Sequence, residues 1–369
     1  MVYCGRRYND PRLLFAGFGQ LGACILDLLM RESMPLEIII AGRHLEEIQR
    51  RSNLSRLAAL QLGVSDHPVT CVPLDLLQQE QIQQVLEETQ PDIVLLTASL
   101  QRWVDVTSFF PVAVWTMAPL LPLYLPLAHN LMQAVKRQKK AMLVLNPMYP
   151  DVVHPVLNTI GLAPTAGVGE LANNLPALRL VCAQELGVEY ERLELRLIMA
   201  RAVSYALSRR PLNNAPYHIS VLVDGIDVTD QLNLEAVFKT FPAAYPRPRG
   251  TAGLPMTAAS ALVTIRALLS PVPQLVHVPG PQGLPGGYPV FLSRNELSLA
   301  LPASLSLEEA LRINEAGLQL DGIRQVTEDG TVIFTDEARE MCQRLYGEDY
   351  SSLRLQDTEK WAWKLRPAH

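Results

Sequence analysis

Signals for export, membrane insertion and disulfide bonding are scarce in this 369-residue chain. The opening stretch Met1-Val2-Tyr3-Cys4-Gly5-Arg6-Arg7 lacks the long apolar core of a secretory signal, so export is not expected. One uncharged stretch, Val106 to Ala128, has the length of a membrane span. Pro111, Pro119, Pro122 and Pro126 break any continuous helix through it, which points to a buried wall or an oligomer contact instead. Five cysteines, Cys4, Cys24, Cys71, Cys182 and Cys342, stand far apart with no CxxC pair. Neither a disulfide framework nor a zinc site is indicated, and a reducing cytoplasm is the expected location. A net charge of −5 offers no general attraction for nucleic acid or for an anionic membrane, so neither is an expected partner. No internal repeat or low-complexity tract stands out.

What is present is a glycine turn between two structured segments. Gly17-Phe18-Gly19-Gln20-Leu21-Gly22 follows the apolar run Leu13-Leu14-Phe15-Ala16 and precedes a stretch with Leu21, Ile25, Leu28 and Leu29 at helical spacing. In a strand-to-helix turn of this kind the first glycine permits the tight bend. The second lets backbone N–H groups approach a pyrophosphate, and the third lets helix and sheet pack closely. The helix N-terminus then faces the phosphates.

A second β-like run, Glu37-Ile38-Ile39-Ile40-Ala41, ends about 20 residues beyond the glycines, where an NAD-binding unit usually carries a carboxylate for the ribose 2′-hydroxyl. Here the strand ends Ala41-Gly42-Arg43. A guanidinium in that place, with no carboxylate to repel a 2′-phosphate, favours NADP(H) over NAD(H).

The first part of the chain alternates β-like and helical patterns, as a doubly wound parallel sheet does. Strands are expected at 12–16, 37–41, 69–74, 92–97 and 142–145, with helices at 20–31, 78–89 and 123–139. Ile93-Val94-Leu95-Leu96 is apolar throughout, as suits a strand covered on both faces. The expected fold class is α/β, a Rossmann-like doubly wound sheet over residues 1–150, followed by a second α+β substrate or dimerisation domain over 151–369. In that second part, 161–174 reads as loop, 192–202 and 217–228 as long strands, 257–269 as a helix and 307–319 as an amphipathic helix capped by Ser306. The loop Pro279 to Pro289 is dense in glycine and proline, and the C-terminal tail with Trp361 and Trp363 is expected to dock back on the body of the protein.

The GFGQLG turn, the Ala41-Gly42-Arg43 strand end, Pro73-Leu74-Asp75 and Leu95-Leu96-Thr97-Ala98 together resemble the saccharopine-dehydrogenase-like reductases over the first 150 residues. The resemblance implies pyrophosphate contacts at Gly17, Gly19 and Gly22, a turn lined by Phe18, Gln20 and Leu21, and a 2′-phosphate held by Gly42 and Arg43. It implies Asp75 beside the adenine, Thr97 and Ala98 toward the nicotinamide ribose, and imine or carbonyl reduction with NADP(H) in a dimer.

Reduction of a C=O or C=N bond needs a proton donor and a dry site. Asn146, Tyr149, Asp151 and His154 follow the fifth strand and should reach the nicotinamide edge, with Tyr149 and His154 as donors and Asp151 as an orienting group. Asn146-Pro147-Met148-Tyr149-Pro150 also reads as a plain interdomain turn. Tyr288, held among glycines and prolines, is a further candidate donor or a hairpin anchor. His218 and His277 read more readily as structural, and Arg209-Arg210 as a carboxylate clamp or a solvated pair. Thr165-Ala166-Gly167-Val168-Gly169-Glu170 reads as a helix-entry loop near the nicotinamide. The expected function is NADPH-dependent reduction of a small, amino-acid-derived carbonyl or imine. A noncatalytic NADP-binding sensor and a reductase acting on a carrier-tethered intermediate are the alternatives.

Overall fold

The computed structural model describes residues 10–32, 34–64, 66–101, 116–209, 214–248, 250–348 and 350–364. Arg210 and the first ten residues of the Val106–Ala128 stretch lie outside these residues.

Six strands form a parallel sheet in the order β3-β2-β1-β4-β5-β6, namely β1 Arg12–Ala16, β2 Glu37–Gly42, β3 Val69–Pro73, β4 Ile93–Leu96, β5 Leu143–Asn146 and β6 Ala166–Gly167. Helices α1 (Gln20–Leu29), α2 (Leu45–Gln61), α3 (Gln79–Thr89), α4 (Leu125–Arg137) and α5 (Pro150–Asn158) connect them. Strand alternation sends side chains to two cores. Leu14, Ile39, Val94 and Val144 face α3, α4 and α5, while Leu13, Phe15, Ile40, Leu95 and Leu145 face α1.

Local differences from the sequence reading have physical causes. The sheet runs past residue 150, because β6, only two residues long inside the segment read as loop, pairs Leu145 with Ala166 and Asn146 with Gly167. Two ladder positions are too few to give an alternating pattern. A 3-10 turn, Ala118–Leu123, holds Pro119 and Pro122 before α4 starts, so the helix begins at Leu125 rather than Leu123. The described part of the apolar stretch is a wall inside the molecule, with Ala118, Leu121 and Leu123 fully buried.

A second, antiparallel sheet follows in the order β10-β11-β7-β8-β9, with β12 (Leu297–Leu299) on β11. Its strands are β7 Leu193–Met199, β8 Tyr217–Val223, β9 Ile226–Asp227, β10 Gln274–Pro279 and β11 Gly287–Leu292, and helices α6 (Leu175–Leu186), α7 (Arg201–Leu207), α8 (Leu234–Ala244) and α9 (Leu254–Leu269) accompany it. The stretch 192–202 is thus a strand that breaks at Ala200 and continues as α7, and 217–228 folds into a hairpin at Asp224 and Gly225, both at positive φ. Helix α9 buries Ala258, Ala261, Ile265 and Leu268 in the core that α1 shares, which ties the two sheets together.

Helix α10 (Leu307–Leu320) starts at a capping box in which Ser306 and Glu309 exchange bonds. A three-stranded sheet, β13 (Ile323–Val326), β14 (Val332–Phe334) and β15 (Ser352–Leu353), and helices α11 (Asp336–Tyr346) and α12 (Thr358–Lys364) close the chain. The Tyr346 hydroxyl donates to the Pro119 carbonyl and Trp361 joins the same core, so this last module packs over the 3-10 turn.

Candidate functional site

The glycine turn has the geometry its spacing demands. Gly17 sits at φ +91°, and a Cβ there would lie 2.4 Å from Ala98 Cβ. Its N–H donates to the Ala41 carbonyl at 2.8 Å, and the Thr97 hydroxyl donates to the Gly17 carbonyl at 2.7 Å. A Cβ on Gly22 would approach Thr97 Oγ1 to 2.9 Å, so this glycine is what lets α1 lie against β4. Gly19 is different. It is exposed at the N-terminus of α1, and the nearest atom to a Cβ there is the Thr97 carbonyl oxygen at 3.8 Å. The space at Gly19 is therefore open toward solvent at the positive end of the helix, the arrangement a pyrophosphate requires.

Gly42 ends β2 and Arg43 follows it, as Asp75 follows β3; Gly42 is paired with Pro73 across the two strands. Arg43 is exposed and makes no hydrogen bond to any described residue, while Asp75 Oδ1 accepts the Leu77 N–H at 3.0 Å and shapes a turn. Phe18 packs edge-on against Phe15 and is half-buried. Thr97 is buried beneath the turn and Ala98 beside it.

From this turn a cleft of about 590 Å³ runs along the carboxyl edge of the sheet. Gly19, Gln20, Leu21, Thr97 and Ser99 line one end; Tyr149, Glu170, Arg201, Arg209 and Arg247 line the other. Its size is that of a small-molecule site, and the open cradle at Gly19 fits a dinucleotide phosphate.

The groups expected after β5 separate in the structure. Tyr149, at φ +50° ahead of α5, reaches the cleft, is 3% exposed, and its hydroxyl finds no hydrogen-bond partner among the described residues. Burial, then the Asp321 carboxylate, raises its phenol well above the ordinary value. Asp151, fully buried just behind, accepts the Arg201 backbone N–H at 2.7 Å on one oxygen and leaves the other unpartnered. Asn146 and His154 do not line the cleft. Asn146 Nδ2 lies 3.2 Å from His154 Nε2, and His154 Nδ1 lies 2.7 Å from the Gly280 carbonyl, which makes Nδ1 the protonated nitrogen. Burial lowers His154 to about 4, so this ring is a satisfied core group. Tyr288 is fully buried on β11 opposite Val278, inside the core and away from the cleft lining. His277 accepts the Leu197 N–H within the second sheet.

Three residues that the sequence left unassigned complete the cleft. Arg201, at the start of α7, donates from Nε and Nη2 to the two oxygens of Asp321, at 2.8 and 2.5 Å, with both side chains buried. Glu170 follows Gly169 in the loop after β6 and opens partly to the cleft. Burial pushes its carboxyl up to about 8, Arg201 pulls the other way, and Asp151 and Asp321 add to the rise. Arg247 donates to the Asn173 carbonyl at 2.6 Å and to the Asn174 side chain. The one local hint was the carboxylate placed directly after two closely spaced glycines, Gly167 and Gly169.

No family model and no curated protein matches the chain. Solved structures do. The chain is similar to lactate dehydrogenase from Eimeria maxima, solved with NADH and oxamate, at 12% identity and a TM-score of 0.56 over 85% of this chain and 93% of that one. It is also similar to lactate dehydrogenase from Cryptosporidium parvum, solved with lactic acid and nicotinamide adenine dinucleotide, at 14% identity and a TM-score of 0.55 over 85% and 97%. Malate dehydrogenase from Plasmodium falciparum matches at 12% and 0.53 over 96% and 99%. Likeness at this identity is one of fold: a Rossmann-like parallel sheet followed by an antiparallel sheet, as in these dehydrogenases. The saccharopine-dehydrogenase resemblance thereby reduces to the general Rossmann-like fold.

Proposed function

We propose that this protein is an oxidoreductase that binds a nicotinamide dinucleotide and reduces a carbonyl or imine of a small substrate. The observation that carries the reading is the single cleft that joins the open glycine cradle at the α1 N-terminus to the buried polar cluster of Tyr149, Glu170 and Arg201. When bound, the dinucleotide supplies a hydride equivalent. The chain's own residues do the rest. Gly17, Gly19 and Gly22 shape the phosphate cradle, and Thr97 braces it through the Gly17 carbonyl. Tyr149 offers a hydroxyl to the substrate heteroatom, and the apolar wall at Leu120, Tyr124 and Met148 limits water.

NADP(H) is the preferred form in this reading, because the exposed guanidinium of Arg43 directly follows β2 with no carboxylate at that strand end. Arg209 and Arg247 on the cleft wall favour an anionic substrate, in keeping with a carbonyl acid or an amino-acid-derived imine. Cys24, Cys71 and Cys182, in no disulfide among the described residues, support a reducing, cytoplasmic setting.

Parallel calorimetric titrations with NADPH and NADH at one ionic strength test the reading. Tighter binding of NADPH is expected, and absence of binding for both removes it.

A further inference from the structure

We propose that Glu170 is the catalytic acid of this site, held as a neutral carboxyl group at the substrate end of the cleft. The inference rests on the oxidoreductase reading above and names its proton donor.

The charge balance of the cluster is the first argument. One guanidinium, Arg201, faces three carboxyl groups, Asp321, Asp151 and Glu170. Asp321 takes both of the guanidinium's forked bonds, and its Oδ1 also accepts the Met117 N–H at 2.7 Å. Asp151 accepts the Arg201 backbone N–H on one oxygen, and its other oxygen has no partner among the described residues. The Glu170 carboxyl receives no hydrogen bond from any described residue. Two further negative charges in so buried a place lack a partner, and protonation removes the cost. Asp151 is sealed off at 0% exposure, so Glu170 is the member of the set that can meet a substrate.

Backbone geometry supplies the second argument. Glu170 stands at φ +52° directly after Gly169 at φ +86°. Ser260 Oγ accepts the Gly169 N–H and Ser204 Oγ donates to the Glu170 carbonyl, both at 3.1 Å. A left-handed conformation at a glutamate costs energy that the surroundings must hold in place. The third argument is the Tyr149 hydroxyl, which lines the same cleft, buried and with no hydrogen bond of normal geometry to any described residue, and so marks a place for a ligand's polar atom.

In the forward step the carbonyl carbon would accept a hydride equivalent supplied by the bound reduced dinucleotide, and the C=O pair would move onto oxygen. That oxygen takes the Glu170 proton while Tyr149 donates a hydrogen bond to it. The products would be an alcohol, the oxidised dinucleotide and a Glu170 carboxylate, which would take a proton back from bulk solvent before the next turnover. The charged and titratable groups facing Glu170 are Arg201 from α7, Asp151 from α5, Asp321 after α10 and Tyr124 ahead of α4.

Infrared titration of the carboxyl groups in the parent protein and in Glu170→Gln tests the assignment, alongside NADPH calorimetry on both and NADPH oxidation with pyruvate as the probe. A protonated carboxyl that ionises near neutrality in the parent and is missing from the variant is expected. Glu170→Gln should bind NADPH as the parent does while turnover falls about 10²- to 10⁴-fold with little change in KM. Glu170→Asp should recover part of it. A Glu170 already ionised well below neutrality, or a Glu170→Gln protein with parental turnover, overturns the assignment and leaves the oxidoreductase reading intact. Should pyruvate not react, the titration alone decides. Failure of the parent to bind either dinucleotide overturns the function itself.

Discussion

Arg201 and Asp321, 120 residues apart in the chain, form a bidentate ion pair whose side chains are 4% and 0% exposed. The pair joins the start of α7 to the turn after α10, and Asp321 also accepts the Met117 N–H and, through its carbonyl, the Ala118 N–H. Second sheet, closing module and apolar wall therefore meet at one carboxylate.

Removing that carboxylate leaves a buried guanidinium without its forked partner. Asp321→Ala is expected to cost about 3–5 kcal/mol of stability, read by urea denaturation. The freed guanidinium would also turn to Glu170 and draw its carboxyl down. A loss below about 1 kcal/mol would mean that the pair contributes little beyond its geometry.

The turn glycines should behave differently from one another. Gly19→Ala has room for its methyl, so it should fold with parental stability yet lose dinucleotide affinity, because the methyl stands in the phosphate cradle. Gly17→Ala meets Ala98 at 2.4 Å from a left-handed backbone and should be destabilised by about 1–3 kcal/mol. Calorimetry together with thermal melts separates the two. Full dinucleotide affinity in Gly19→Ala would remove the cradle.

Arg43→Ala should weaken NADPH by about 10- to 100-fold, the worth of one charge-assisted contact to a phosphate, and leave NADH unchanged. Equal affinity of the parent protein for both dinucleotides would show that Arg43 does not select the cofactor.

Two buried groups act on stability with opposite signs of pH dependence. His154 is lowered from 6.5 to about 4, so the unfolded chain takes up the proton first. Its contribution is complete above about pH 6.5 and is lost as pH falls toward 4, by up to about 3 kcal/mol. Glu170 is raised, so its contribution is present below its unfolded value of 4.5 and is lost as pH climbs through about 8. Ring NMR should find His154 neutral at about pH 5. Urea unfolding should find Glu170→Gln stabilised more at about pH 8 than at about pH 5. A stability change independent of pH would contradict a raised Glu170.

The amino-acid sequence by itself determined the strand-turn-helix from Leu13 to Leu29, the apolar strands Ile38–Ile40 and Ile93–Leu96 and the capped helix at Ser306, because each depends on near neighbours: periodicity, a glycine that bends, a side chain that caps. Tertiary structure alone decided which polar groups share the cleft. It satisfied His154 with Asn146 and Gly280, put Tyr288 in the core, left Tyr149 unpartnered at the cleft wall, and gathered Asp151, Glu170, Arg201 and Asp321 around one buried charge. Those groups lie on separate elements, and a buried charge chooses its partner by proximity and desolvation, neither of which leaves a pattern between residues so far apart in the chain.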